Sequence, residues 1–408
     1  MSSGIQNPEM KSRNPITICF PFSGDVVGGS HISVLGLIRT LDTDRFIPLI
    51  VPQVAGGNIA TMFRDHGLKT ESGFQRKELG YDTRVSLRKF LGSMSDLPAQ
   101  IGFLRNRRVD IVHTNDGRTH ATWALAARLS GAKLLWHHRG DPKALGLRFV
   151  APLLANRVAT VSQFSLPAPG FYSAAHKAQV VHSPFDTDII EDRAISRNTI
   201  VDELGCDPKT QFVGYLGAFA ARKRPFLFIE TIAELRKRRP TEPVMGLMFG
   251  EAYDDTTQQA LIKHAEKLQV TDAIKFMGLR KRGTFWLAGC DVLLIPAVGE
   301  PFGRTLIEAM LVGTPVVATA SGGNIEALRE GQTGILVPPE NAGELAAGCL
   351  RARDDAVFAK SLVERAGSDA RRRFGMKHHT DLITTMYLEM LGERPAPLHT
   401  LGAEGHSE

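Results

Sequence analysis

Short apolar runs recur along this chain, separated by polar turns and by longer stretches whose apolar residues fall at helical spacing. ITICFPF (16–22), FIPLIV (46–51), VDIVHTN (109–115), KLLWHH (133–138) and RVATVS (157–162) have the length and β-branched content of strands buried on both faces. Between them ISVLGLIRTL (32–41), NIATMFRDHG (58–67) and THATWALAARLSG (119–131) carry apolar residues at the period of a helix. The alternation starts again with QFVGYLGAF (211–219), PVMGLMFGE (243–251), IKFMGL (274–279), DVLLIP (291–296), PVVAT (315–319) and GILV (334–337). Two parallel sheets, each flanked by helices, are expected: an α/β chain of two Rossmann-like halves. A polar, charge-mixed stretch, DTDIIEDRAISRNTIVDELG (186–205), reads as the passage between them. The expected boundaries are a disordered tail at 1–14, a first domain at 15–190, a second at 191–375, a closing helix at 376–392 and a disordered tail at 393–408.

The chemistry concentrates between Asp291 and Leu328. A buried strand leads into a loop with Gly299, Pro301 and Gly303, then into the helix former RTLIEAML, with Gly313 placed as the C′ residue that ends it. Such loops lie beyond the strand C-termini, where open parallel sheets bind ligands. Glu300 falls in the loop and Glu308 about one turn inside the helix, while free N–H groups near Phe302 to Thr305 suit an anion. The plain alternative is a solvated loop acid and a solvent-facing helix acid. In the loop after 211–219, Gly217 and the basic AARKRP, with Arg222 and Lys223, precede a helix N-terminus, a combination that suits a diphosphate. Gly28 and Gly29 in SGDVVGGS make either a phosphate-accepting turn or a simple tight turn. His113, Asn115, Asp116, His137, His138 and Arg139 all fall at the C-terminal edge of the first sheet.

GEPFGRTLIEAM (299–310), followed by GTPVVAT-x-x-GG-x-x-E (313–326), resembles the Glu-x7-Glu signature of retaining GT-B glycosyltransferases, glycosyltransferase family 4, also called glycosyl transferases group 1. The resemblance runs from about Ile16 to Leu391 and is firmest between Gly214 and Glu326. It implies a GT-B fold whose second domain holds a nucleotide-sugar and whose closing helix crosses back to the first. Glu300, Phe302 and Gly303 become donor-sugar residues and Glu308 the ribose contact. Gly28, Gly29, Arg222, Lys223, Gly303, Arg304 and Thr305 become diphosphate contacts. The implied catalytic set is Glu300, Arg222, Lys223 and either His138 or Arg139: the family's histidine aligns on Arg139, and His138, the favoured of the two, fits if the strand slips by one residue. The chain departs from the pattern at Ala218, where an Arg is usual and Arg222 is the expected substitute, and at Ser183-Pro184-Phe185-Asp186, where Asn-Gly-Val-Asp is usual. The implied reaction is retaining transfer from a UDP- or GDP-sugar to a glycan, lipid-linked or small-molecule acceptor, as in polysaccharide or glycoconjugate biosynthesis. The leaving phosphate would take the acceptor's proton, with Asp116 as a further contributor, and no cofactor and no metal are implied. A non-catalytic sugar-nucleotide-binding protein and an NDP-sugar epimerase of the same fold are the alternatives.

Composition narrows the setting. Apolar residues make up 43% of the chain and charged residues 23%, as in globular proteins. No apolar run reaches about 18 residues and the N-terminus has no secretory apolar region. Cys19, Cys206, Cys290 and Cys349 are scattered, which disfavours a disulfide framework or zinc site and fits a reducing cytoplasm. The net charge of +6 gathers at 103–108, 235–240 and 278–283. These groups are either solvated or attracted to an anionic surface such as the inner face of a membrane. No nucleic-acid-binding motif accompanies them, so nucleic acid is not an expected partner.

Overall fold

The structure is a computed structural model and describes residues 14–71 and 94–393. Apart from Asn14 and Glu393, the tails expected to be disordered lie outside the described residues.

The first sheet is six-stranded and parallel, in the order β2-β1-β3-β4-β5-β6, with β1 at Ile16–Phe22, β2 at Phe46–Pro52, β3 at Ile111–Thr114, β4 at Lys133–His138, β5 at Arg157–Thr160 and β6 at Ala178–Val180. The second has the order β12-β11-β10-β7-β8-β9, also parallel, with β7 at Gln211–Leu216, β8 at Val244–Phe249, β9 at Ile274–Gly278, β10 at Val292–Ile295, β11 at Val316–Thr319 and β12 at Ile335–Val337. All expected strands form. One further strand, Ala178–Val180, pairs beyond β5 as the edge of the first sheet.

Helices cover both faces of each sheet, and the caps explain where several begin and end. Asp116 opens the helix Gly117–Ser130 by accepting from the N–H groups of Arg118 and Thr119 at 2.8 and 2.9 Å. Asn341 caps Ala342–Asp354 in the same way. Gly313, at φ +75°, takes the left-handed position just past the helix Arg304–Leu311. Asp254 caps the helix Asp255–Lys267, and its neighbour is that helix's first residue.

The interdomain passage is shorter than its polar composition implies. Residues 193–204 form the helix Arg193–Leu204, bound to the second half through Arg197 and Asp291 at 2.9 Å and through Arg193 and Thr314 at 2.9 Å. At the other end of the chain, the helix Met376–Met390 leaves the second half and buries Ile383, Met386, Tyr387 and Leu388 in the core of the first, among Ile18, Phe20 and Leu37. A third core, of Phe185, Phe302 and Phe374 with Val161, straddles the junction.

Candidate functional site

A cleft of about 1110 Å³ opens between the C-terminal edges of the two sheets. Gly28, Gly29, Asn115, Asp116, His138 and Arg139 border it from the first half, and Gly217, Arg222, Lys223, Glu300, Thr305 and Glu308 from the second.

Its floor is the loop after β10. Glu300 is only 7% exposed and is in contact with the guanidinium of Arg222, while Lys223 Nζ lies 3.5 Å from the same carboxylate oxygen. The cations come from the turn after β7, which is tied to the Glu300 loop by the Val298 N–H donating to the Arg222 carbonyl at 2.8 Å. Two glycine contacts set this geometry. A Cβ on Gly322 (φ +60°) would stand 2.5 Å from the Glu300 carbonyl oxygen, and one on Gly250 would stand 2.2 Å from that of Gly217. The Gly-Gly of 322–323 therefore lets one loop's backbone lie directly on the other, sealed by the Gly323 N–H donating to the Glu300 carbonyl at 2.7 Å.

The helix Arg304–Leu311 points its N-terminus into the cleft and has no side-chain cap, leaving its first N–H groups for a ligand. Glu308 sits one turn in, 3.4 Å from Arg304. Phe302, which also borders the cleft, packs its ring onto His182 and Phe374 in the junction core. The Arg304 side chain is engaged elsewhere. It donates to Ser33 Oγ and to the Pro184 carbonyl, both at 3.1 Å, and its guanidinium lies 4.3 Å over the Phe185 ring. A Cβ on Gly29 would stand 2.7 Å from Arg304 Cδ, so this glycine admits the strut rather than merely turning the chain.

On the opposite wall His138 and Arg139 differ in role. His138 bonds the Asp141 carbonyl through Nε2 at 2.9 Å, and burial holds its pKa below the ordinary histidine value. Arg139 donates to Ser183 Oγ at 3.1 Å and Asn115 Oδ1 at 3.3 Å, and burial, with Arg304 nearby, lowers it to about 9. Its Nε has no partner among the described residues. Asp116 uses its carboxylate as a helix cap, and burial raises its pKa despite the two N–H groups.

Two of the six residues expected at this edge face elsewhere. His113 bonds Tyr387 Oη at 2.6 Å and His137 at 3.1 Å, and both lie beneath the closing helix rather than in the cleft. Strand alternation put them on the inner face, against a helix too remote in sequence to be anticipated. Conversely, Glu326, which in the sequence only ends the GG-x-x-E motif, has a structural role. It joins the halves by accepting from the Gln163 N–H at 2.6 Å and pairing with His182 at 2.7 Å, beside Ser162 Oγ donating to the Pro301 carbonyl at 2.5 Å. The GG-x-x-E spacing was the available signal.

The basic clusters are largely neutralised within the chain: Arg107 by Glu71, Arg236 by Asp272, Arg239 by Asp354, Arg280 by Glu203 and Arg282 by Glu191. The four cysteines are free. Among the described residues no helix is long and apolar enough to cross a membrane.

Residues 196–373 match the sequence model of the family described as Glycosyl transferases group 1. The chain is 28% identical over 317 residues to the D-inositol 3-phosphate glycosyltransferase of Salinispora arenicola, covering 74% of this chain and 67% of that one. It is 29% identical over 227 residues to the protein of the same name from Mycobacteroides abscessus, covering 54% and 48%. Across such relatives the alignments span from 42% to 67% of the relative, so the chain spans about half the length of most of them. Among solved structures, Anabaena HepE in complex with UDP-glucose superposes with a TM-score of 0.78 at 21% identity, over 92% of this chain and 99% of that one. That likeness is one of fold.

Proposed function

The chain belongs to the glycosyl transferases group 1, with their GT-B fold of two Rossmann-like halves, and from that premise we propose that it moves a sugar from a nucleotide-sugar to an acceptor hydroxyl with retention at the anomeric carbon. The observation that carries this reading is Glu300, buried at the cleft floor and held by Arg222 and Lys223 beside an uncapped helix N-terminus.

In this reading the two cations and the N–H groups of Arg304 and Thr305 receive the diphosphate, stabilising charge as the bond from the anomeric carbon to its phosphate oxygen breaks. Freed of its cations, Glu300 accepts from the donor-sugar hydroxyls, and Glu308 accepts from the ribose. The acceptor oxygen bonds to the anomeric carbon on the face the phosphate leaves, and its proton passes to the leaving phosphate oxygen. His138 and Arg139 fix the sugar from the opposite wall. The chemistry calls for no metal, so a chelator is expected to leave turnover unchanged. UDP-glucose, the ligand in the complex of the structural neighbour, is the first donor to test.

The test is a thermal-shift screen of UDP, GDP, ADP and their sugar conjugates, followed by donor turnover with the conjugate that binds. A ligand at about 100 times its Kd stabilises by about 2.7 kcal/mol. A shift from one nucleotide class, with sugar released or transferred, is the expected result. No shift from any nucleotide would remove the reading, binding without turnover would favour a non-catalytic nucleotide-sugar binder, and an isomerised NDP-sugar product would favour an epimerase.

A further inference from the structure

The cleft has an arm beyond the residues assigned above to the donor. From His138 and Gly140 it runs into the first half between the helix Gly117–Ser130 and the segment 144–154, lined by Ala121, Ala124, Leu125, Leu147, Val150 and Leu154. Trp136 and His120 also border it, and Trp136 Nε1 and His120 Nε2 are buried with no hydrogen-bond partner among the described residues. The two rings stack at 4.0 Å, and the other His120 nitrogen is already taken by Thr114 Oγ1 at 2.7 Å. Buried polar atoms are seldom left unpaired, and these sit side by side in the wall of an otherwise apolar recess. A ligand for the recess is therefore mostly apolar, with an oxygen near its polar end.

The outer face of the same segment is apolar as well. Leu145, Phe149 and Leu153 follow one another at helical spacing and are 71%, 52% and 65% exposed. Phe171 and Tyr172 are exposed nearby, and the Tyr172 hydroxyl donates to the Phe149 carbonyl at 2.9 Å. Arg148 lies 5.3 Å over the Phe149 ring, and Lys143 is exposed at the segment's start. Single exposed apolar residues are ordinary, but a row of three beside two aromatics is a patch. An apolar row with aromatics and flanking cations is the make-up of a helix lying in a lipid interface. A small polar acceptor would account for neither the recess nor the row.

We propose that the acceptor is amphiphilic, its hydroxyl-bearing head placed at His138 and Gly140 and its apolar chain lying in the recess, while Leu145, Phe149 and Leu153 rest on the lipid surface that supplies it. This rests on the transferase reading for the position of the head, while the recess and the outer row stand on their own geometry.

The experiment compares binding of octyl and methyl β-glucoside, below the micelle concentration of the former, by calorimetry. Octyl glucoside is expected to bind at least about tenfold more tightly, since chain burial contributes with each methylene. Ala121→Trp, which fills the recess from a position exposed in its wall, is expected to abolish that preference. In parallel, wild type is expected to sediment with vesicles of phosphatidylcholine and phosphatidylglycerol, and the triple variant Leu145→Ser, Phe149→Ser, Leu153→Ser to stay in solution. Unchanged circular dichroism and nucleotide thermal shift check that each variant is folded.

Equal binding of the two glucosides, an octyl preference that survives Ala121→Trp, or vesicle binding unaffected by the triple variant would each overturn the proposal. So would a triple variant that only dissociates a dimer. Absence of any nucleotide shift would instead sink the transferase reading while leaving the glucoside comparison to decide this one.

Discussion

Glu300 and Arg222 are 78 residues apart in sequence and in contact at the floor of the cleft, where Lys223 completes a buried acid with two cations. The pair is asymmetric: the Glu300 side chain is 9% exposed and that of Arg222 is 49%. Removing the acid leaves cations that water can reach, whereas removing the cations strands a buried carboxylate. Glu300→Gln is expected to lower kcat by roughly 10²–10³-fold with little loss of stability. The double variant Arg222→Met, Lys223→Met is expected to lose as much turnover and to unfold earlier in calorimetry as well.

Glu308 is placed to hold the nucleotide rather than the reacting centre. Glu308→Ala is expected to weaken nucleotide binding about tenfold, or about 1.4 kcal/mol, raising the donor KM while leaving kcat within a few-fold of wild type. Titration calorimetry with the nucleotide found by the screen checks the first part and initial rates the second. A large fall in kcat alone would move Glu308 into the chemical step.

Arg304 ties the halves together. It reaches from the second half's helix to Ser33 in the first and to Pro184 in the connection, and it stacks on Phe185. Hydrogen bonds to a charged donor contribute about 1.5–3 kcal/mol each where they are buried, and the cation–π contact about 1 kcal/mol. Arg304→Leu is expected to loosen closure, read as a larger radius of gyration in small-angle scattering and a higher KM for donor and acceptor together. Arg304→Lys should recover little, because one ammonium cannot reproduce the fork.

Four buried histidines, His113, His120, His137 and His379, have pKa values well below 6.5, chiefly through burial, with His379 lowered to about 3. In the unfolded chain they protonate near the ordinary 6.5, so below that pH the unfolded state binds more protons and is favoured. Their contribution to stability is therefore full above pH 6.5 and falls as the pH drops toward the folded values. Each histidine adds a slope of about 1.4 kcal/mol per pH unit in that window. Denaturant melts between pH 7 and 4 should show this loss, and His379→Gln should reduce the slope by about one proton.

The strands and the second half of the site were legible because their signals are local. An apolar run with a glycine after it names a parallel strand and its loop, and Gly313 could be placed as a helix terminus from spacing alone. Arg222 and Lys223 were found through a basic turn between a strand and a helix. What escaped depended on partners far along the chain: Tyr387 for His113, 274 residues away, and Ser33 for Arg304, 271 away. The partners of the charged clusters escaped for the same reason, since Asp272 and Glu203 lie on other elements from the arginines they pair with. The apolar row at 145, 149 and 153 went unread for the same reason, since only the fold shows that it is exposed on one side of a segment whose other side walls a recess.

The closing helix imposes an order on biosynthesis. Ile383, Met386 and Tyr387 fill the core beneath β1, so the half of the molecule made first is finished by residues made only after the whole second half. Until that helix emerges from the ribosome, the first sheet is left with an open groove beside Phe20 and Leu37. A nascent chain stalled before residue 376 should expose this groove to chaperones, and the first half expressed alone should need a supplied 376–390 peptide to become soluble.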